Sequence, residues 1–322
     1  MESKNRKVVL IGTGFVGMSM AYSILNQGAG VNELVLIDVL KEKAEGEAMD
    51  LSHGIPYSKN DLKVKAGDYE ECKDADIVVI TAGLNQKPGQ TRLELSEANA
   101  KIMKDITLKV VSSGFKGIFL IATNPVDLMT KIVQEVSGFD TSKVIGSGTV
   151  LDTARLRFLV GKYLEISDKN VHAYIMGEHG DSSFVPWEHA YVGCKKISDI
   201  MKDNNKNMED LDKIYIDVRD SAYEIIEKKK ATYYGIGLGL AHIIKNILND
   251  TNQILTVSAY LDGQYGQKDI YIGVPCIINS NGVRDILELK LAPENQAKLD
   301  NSASILREMM LSLKTGINDI NS

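Results

Sequence analysis

The sequence predicts an α/β protein: a doubly wound parallel sheet in the N-terminal part, followed by a C-terminal α+β domain. Three observations predict it. The first half alternates short apolar runs with helical patterns, as expected when parallel strands are covered on both faces by crossover helices. The second half changes character, with longer helices and then three β-rich runs separated by Asp262-Gly263 and Asn281-Gly282, both strong hairpin signals. Finally, 322 residues at 44% hydrophobic and 25% charged suffice for two such units with a sizeable core. We place the division at residues 1–148 and 149–322.

The elements follow in order. KVVLIG (7–12) reads as a buried strand, SMAYSILNQ (19–27) as a helix, ELVLID (33–38) as a second strand and AEGEAMDLSHG (44–54) as a second helix. DIVVITAG (76–83) and GIFLIATNP (117–125) are further strands, and VIGSG (144–148) follows another helix. Beyond the division, residues 153–164, 211–229 and 232–248 read as helices. ILTVSAYL (254–261), DIYIGVPCII (269–278) and VRDILELK (283–290) read as strands, and residues 293–314 as a closing helix. The site is expected where the two halves meet.

Gross properties exclude several function classes. A net charge of −6 argues against nucleic-acid or anionic-membrane partners. The segment 1–7 is short and polar and the apolar run after it is broken by glycines, so no signal peptide is expected. No run approaches the roughly 20 apolar residues of a membrane span. Cys72, Cys194 and Cys276 lie far apart and form no CxxC pair, which points to a reducing compartment, with neither a disulfide framework nor a metal site. A cytoplasmic protein is expected.

GTGFVG (12–17) fits GxGxxG directly after a strand and at the start of a helix, the context in which that pattern carries weight. Gly12 permits the tight turn, Gly14 lets backbone amides approach a pyrophosphate, and Gly17 allows close helix–strand packing. With Val16 between them, these residues should line a dinucleotide at a helix N-terminus, which makes the first half a Rossmann-type domain. Asp38 ends the next strand, 21 residues beyond Gly17. Its carboxylate suits a ribose diol and would repel a 2′-phosphate, which favours NAD over NADP. The plainer alternative is a tight turn with a capping Asp. Lys43 and Tyr69 either line the adenine side or are ordinary surface residues.

Three further stretches carry candidate chemistry. GEHGDS (177–182) exposes His179 between glycines. In LDTARLR (151–157), Asp152 and Arg155 share one helix face. An Asp aimed at a His fixes its tautomer and stabilises the imidazolium, and an Arg grips a carboxylate with paired hydrogen bonds. A surface ion pair is the alternative. TNPVD (123–127) sets Asn124 at a strand's carboxyl end, where open α/β sheets bind ligands, or else makes a simple turn. NQKPGQTR (85–92) places Lys87 and Arg92 around a Pro-Gly turn beside the uncharged Gln86, as a loop that closes over a small acid would.

GTGFVG, Asp38, ITAG, QKPGQTR, ATNPVD, GSGTVLDTARLR, GEHGDS and KKKATYYGIG occur in this order over residues 7–314. Together they resemble the L-lactate/malate dehydrogenase family, and within it the bacterial lactate-type branch. The resemblance implies that His179 is the acid/base, that Asp152 orients it, that Arg155 holds the substrate carboxylate, and that Arg92 polarises the carbonyl from the closing loop. It implies substrate contacts from Asn124 and Thr232, and cofactor contacts from Gly83, Ala122, Asn124 and Ser147. Gln86 falls where malate-specific relatives carry Arg. A Gln cannot neutralise the second carboxylate of oxaloacetate, whereas pyruvate offers only a methyl group, so pyruvate and L-lactate are expected. Gln90 departs from the Glu common at that position.

Arg157 and His172 read by themselves as a helix Arg and a polar strand residue. The resemblance implies more: cations at these positions bind the phosphates of fructose 1,6-bisphosphate across a subunit interface, so an activated homotetramer is expected. The first strand begins almost at once, without the long N-terminal arm of animal relatives. Two alternatives stand beside this reading. One is a malate or other L-2-hydroxyacid dehydrogenase. The other is a nucleotide-binding or redox-sensing module, which would need none of His179, Asp152, Arg155 and Arg92.

Overall fold

The computed structural model describes residues 6–58, 60–84 and 92–319, with the backbone alone at Arg92 and at 314–319. The N-terminal part runs β1 (Lys7–Ile11), α1 (Phe15–Gln27), β2 (Glu33–Ile37), α2 (Lys41–Gly54), β3 (Lys63–Ala66), β4 (Ile77–Ile80), α3 (Arg92–Ser112), β5 (Ile118–Ile121), α4 (Val126–Ser137) and β6 (Val144–Gly146). Every residue of β1, β2, β4, β5 and β6 is buried. That is the burial their unbroken apolar runs demand of strands covered on both faces.

The C-terminal part continues with α5 (Val150–Leu164), β7 (Val171–His172), β8 (Tyr191–Val192), β9 (Lys195–Lys196), α6 (Ile197–Asp203), α7 (Met208–Lys229) and α8 (Tyr234–Leu248). The strands β10 (Gln253–Asp262), β11 (Lys268–Asn279) and β12 (Gly282–Ile286) follow, and then α9 (Pro293–Asp319). Both expected hairpins form: β10 pairs antiparallel with β11, and β11 with β12. Gly263 and Gly282 adopt φ of 119° and 96° in the two turns, a region glycine enters without strain.

Among the described residues, nine strands make one sheet in the order β12-β11-β10-β6-β5-β4-β1-β2-β3. β3 through β6 are parallel, as predicted. β10 joins them antiparallel to β6 through Ser258 and Gly146, so the sheet crosses from one half of the chain into the other. Chain order reverses at β1, which lies between β2 and β4, and the crevice beyond the carboxyl ends of these strands is where such sheets bind ligands. A smaller core, with Leu156, Val160, Ile175, Leu211 and Val218, ties α5 to α7 and the short strands.

Four helices begin earlier than the apolar pattern indicates: α1 at Phe15, α2 at Lys41, α5 at Val150 and α7 at Met208. The first turns of α2 and α7 are largely polar, KEKA and MEDL, and those of α1 and α5, FVGM and VLDT, follow directly on glycine-containing turns, so none of them shows the periodic pattern by itself. α8 begins two residues later than read, at Tyr234, and β12 stops at Ile286 instead of residue 290. β3 escapes the pattern because KVKA is a half-exposed edge strand with one large apolar residue. α3 escapes it because its buried face mixes Ser96, Asn99 and Thr107 with Ala100, Met103, Ile106 and Val110.

Candidate active site

The glycine-rich turn joins β1 to α1. Gly12 has φ of 104°, and a Cβ there would lie 2.5 Å from the Ala82 amide nitrogen. A Cβ on Gly17 would lie 2.2 Å from the Gly12 carbonyl oxygen, so α1 could not seat on β1 with any larger residue. A Cβ on Gly14 meets no protein atom within 4 Å: this is the open side, and among the described residues no side chain caps the N-terminus of α1, which leads from Gly14 into Phe15 and Val16. Helix N-terminal amides with that approach suit a pyrophosphate.

Asp38 follows β2 and shapes the same turn. Its Oδ2 accepts from the Thr13 amide and the Thr13 hydroxyl, both at 2.8 Å, and its Oδ1 accepts from the Leu40 amide at 3.0 Å. Burial works against ionisation, but these donors and the Lys43 charge outweigh it and hold the carboxyl below its usual range. The anion is firmly set against a second negative group. Lys43 Nζ donates to the Thr13 carbonyl at 2.6 Å, and half-buried Tyr69 feels the Asp38 charge. Gly83, Ala122 and Ser147 lie just beyond β4, β5 and β6, around the same crevice. The donor set therefore fits a dinucleotide with a free ribose diol.

The proton-transfer group is held from several sides. His179 Nδ1 lies 2.6 Å from Asp152 Oδ2, and Arg155 Nη1 donates to Asp152 Oδ1 at 3.1 Å. Asp152 and Arg155 are each only 14% exposed in their side chains, which rules out the surface ion pair. Asp152's negative charge pushes the imidazole up to about 9 against the opposing effect of burial. For Asp152 itself, burial opposes ionisation, but the charges of His179 and Arg155 prevail and keep it below the usual carboxylate range. The three side chains line one cavity of about 180 Å³ with Val218, Ala222 and Ile226 of α7. That volume suits a small organic acid, and the α7 wall was not legible as part of the site from the sequence.

Asn124 is exposed at the end of β5, ahead of α4. Its carbonyl accepts from Asn99 Nδ2 at 3.0 Å, and Asn99 Oδ1 accepts from the Leu84 amide at 2.8 Å. One buried side chain thus ties Asn124 to Leu84, the last described residue before position 85. Thr232 lies between α7 and α8. Tyr233 beside it stacks on Phe15 of the glycine-rich turn at 5.0 Å, and Gly235 packs on Leu151, next to Asp152. Thr232 therefore stands between residues that touch the glycine-rich turn on one side and α5 beside Asp152 on the other. Gln86 and the side chain of Arg92 lie outside the described residues.

Arg157 and His172 are neighbours. Arg157 Nε donates to the carbonyl of Ala173, the residue after His172, at 3.0 Å, and its guanidinium stands 5.0 Å from the Tyr174 ring centre. His172 is exposed on β7. His242 of α8, unassigned by the sequence, lies close enough to feel the Arg157 charge, and burial first and then nearby cations push it down. Among the described residues no cluster of three or more His, Cys, Asp or Glu side chains could hold a metal ion, and no helix is long and apolar enough to cross a membrane.

Comparison with known proteins gives a consistent answer. Residues 6–146 match the lactate/malate dehydrogenase NAD-binding domain, and residues 149–315 match the lactate/malate dehydrogenase α/β C-terminal domain. L-lactate dehydrogenase 1 of Bacillus cereus is 57% identical over 311 residues, spanning 96% of this chain and 99% of that protein. L-lactate dehydrogenase 2 of Bacillus anthracis is 56% identical over the same extent. Among solved structures, a lactate dehydrogenase from a Medee basin deep-sea metagenome library superposes with a TM-score of 0.95 at 52% identity, covering 97% of this chain and 100% of the other. The ligand-bound minor L-lactate dehydrogenase of Enterococcus mundtii gives 0.93 at 49% identity, covering 96% and 98%.

Proposed function

The chain belongs to the lactate/malate dehydrogenase family, and from that premise we propose that it is an NAD-dependent L-lactate dehydrogenase, reducing pyruvate to (S)-lactate and catalysing the reverse reaction. The observation that carries the chemistry is the short contact between His179 Nδ1 and Asp152 Oδ2, with Arg155 on the other carboxylate oxygen. It leaves Nε2 as the imidazole position that gives a proton to the substrate oxygen, or takes one from the alcohol.

Arg155 clamps the substrate carboxylate, oriented for this by its bond to Asp152. Arg92 polarises the carbonyl as negative charge grows on its oxygen, and such preorganised stabilisation is typically worth about 3 kcal/mol. Asn124 donates to the substrate, Thr232 borders its side-chain end, and Gln86 leaves that end without a counter-charge for a second carboxylate. Bound NADH supplies the hydride. The glycine-rich turn, Asp38, Lys43, Tyr69, Gly83, Ala122, Asn124 and Ser147 hold the cofactor, with the chain dividing near residue 148 into a cofactor half and a substrate half.

On the same reading the enzyme works in the cytoplasm as a homotetramer and is activated by fructose 1,6-bisphosphate, whose phosphates Arg157 and His172 bind at a subunit interface. A ligand that bridges subunits favours the assembled form by preferential binding. The deciding measurement is NADH consumption with pyruvate against oxaloacetate, with and without the sugar bisphosphate. Equal or better turnover of oxaloacetate would overturn the substrate assignment. Unchanged kinetics and unchanged mass distribution on adding the bisphosphate would overturn the activation.

A further inference from the structure

Three consecutive amides leading to the imidazole are each held by a different element. Gly177 N donates to the Gly273 carbonyl of β11 at 2.9 Å, and Glu178 N donates to Ser302 Oγ of α9 at 2.6 Å. His179 N donates to Asp127 Oδ2 of α4 at 2.9 Å. The last acceptor is unlike the others. Asp127 is 3% exposed, and its Oδ1 accepts from the Ser258 hydroxyl of β10, the residue that joins β10 to β6.

We propose that Asp127 is a positioning residue for His179, tying the histidine's main chain to the seam of the sheet while Asp152 ties its ring. The inference rests on the reading of His179 as the acid/base. Two restraints are needed because either alone leaves freedom. A ring held only at Nδ1 can still swing with its loop, and a loop held only at its amide still lets the ring rotate. With both, Nε2 has one direction, and a displacement of about 1 Å in such a group can cost a hundredfold in rate.

The charge of Asp127 acts as well. An asparagine could accept from the His179 amide through Oδ1 and donate from Nδ2 to a Ser258 hydroxyl turned round to accept, so the hydrogen bonds alone do not call for a carboxylate, and an uncompensated buried charge is costly. Burial pushes the Asp127 carboxyl up to about 6, which leaves it largely ionised near neutral pH. The charged groups facing His179 are Asp152 and Arg155 from α5, Asp127 from α4, and Glu178 in its own loop, with Asp181 and Arg219 on the cavity wall. Asp127 is the second carboxylate after Asp152 to favour the imidazolium.

Two variants of the whole enzyme test this. Asp127→Ala removes restraint and charge, and should lower kcat for pyruvate reduction about ten- to a hundredfold while leaving the KM for NADH within about twofold. Asp127→Asn keeps the shape and, with the Ser258 hydroxyl reversed to accept, both contacts, and should recover much of kcat with the basic limb of the pH profile at lower pH than in the wild type. The pH dependence of His179 modification by diethyl pyrocarbonate, located by mass spectrometry, should move in the same direction. Wild-type turnover in Asp127→Ala, or an unmoved limb and modification profile in Asp127→Asn, overturns the proposal. Should Asp127→Ala fail to fold, the Asn variant decides alone. The modification profile reads His179 without any substrate, so a wild-type enzyme inactive on pyruvate would sink the functional reading and still leave this inference testable.

Discussion

His179 Nδ1 lies 2.6 Å from Asp152 Oδ2, and the imidazole is pushed up to about 9 by that neighbour's charge. Asp152→Asn removes the charge and keeps the size. Pyruvate reduction should fall by about a hundredfold or more, the range in which general acid–base groups contribute. The basic limb of the kcat/KM profile should move down towards the ordinary histidine range. A limb left where it was would show that Asp152 does not control the proton on His179.

The same contact sets two pH dependences in the wild type. Reduction consumes the protonated imidazole and so should hold through neutral pH and decline as pH passes about 9. Lactate oxidation needs the neutral ring and should rise over that range. Stability follows the proton too. A histidine whose folded value is raised contributes stability that is complete below its ordinary 6.5 and is lost as pH climbs to about 9. Asp152 is shifted the other way, so its share is present above the ordinary carboxylate range and is lost as pH falls through its depressed value. The thermal unfolding midpoint of the wild type should fall between pH 6.5 and 9, and a His179→Asn variant should lack that slope.

Asn99 links two strand ends through Leu84 N and the Asn124 carbonyl. In Asn99→Ala the exposed Leu84 amide and Asn124 carbonyl both lose their buried partner, at a cost of about 1 kcal/mol. The unfolding midpoint should drop, and the KM for pyruvate should rise more than that for NADH. A stable variant with wild-type KM would mean that the tie is dispensable.

Gln86→Arg should move preference towards oxaloacetate by about a hundredfold or more, since the cost of a buried unpaired carboxylate is relieved. The ratio of kcat/KM for the two keto acids reads this directly, and an unchanged ratio refutes the role given to Gln86.

Arg157 is committed to the Ala173 carbonyl and the Tyr174 ring, and binding a phosphate would draw on the remaining guanidinium donors. Arg157→Gln should flatten the fructose 1,6-bisphosphate titration while leaving turnover at saturating pyruvate intact. A normal titration in this variant would place the activator elsewhere.

Much of this molecule could be read in its letters, for identifiable reasons. The parallel strands declare themselves because burial on both faces requires unbroken apolar runs such as VVLI and IFLI, and Gly12 and Gly17 because a Cβ would strike backbone. Asp152 and Arg155 were legible as a pair on one helix face, yet only coordinates bring His179, 27 residues on, against them. Asp127 lay within a quoted motif and still went unnoticed. An acid in a helix's first turn satisfies the helix dipole locally, and nothing in the neighbouring sequence signals a loop 52 residues away. α3 was missed because polar residues occupy its buried face, Asn99 among them, and these serve the strand ends more than the core.

The strand seam at Ser258 and Gly146 limits how this chain can be divided. A fragment ending near residue 148 would leave the outer edge of β6 without its antiparallel neighbour, and bare edges of that kind recruit other chains. Any transplant of the nucleotide-binding half into another protein must therefore bring β10 along or supply a substitute strand, even though β10 lies more than a hundred residues downstream.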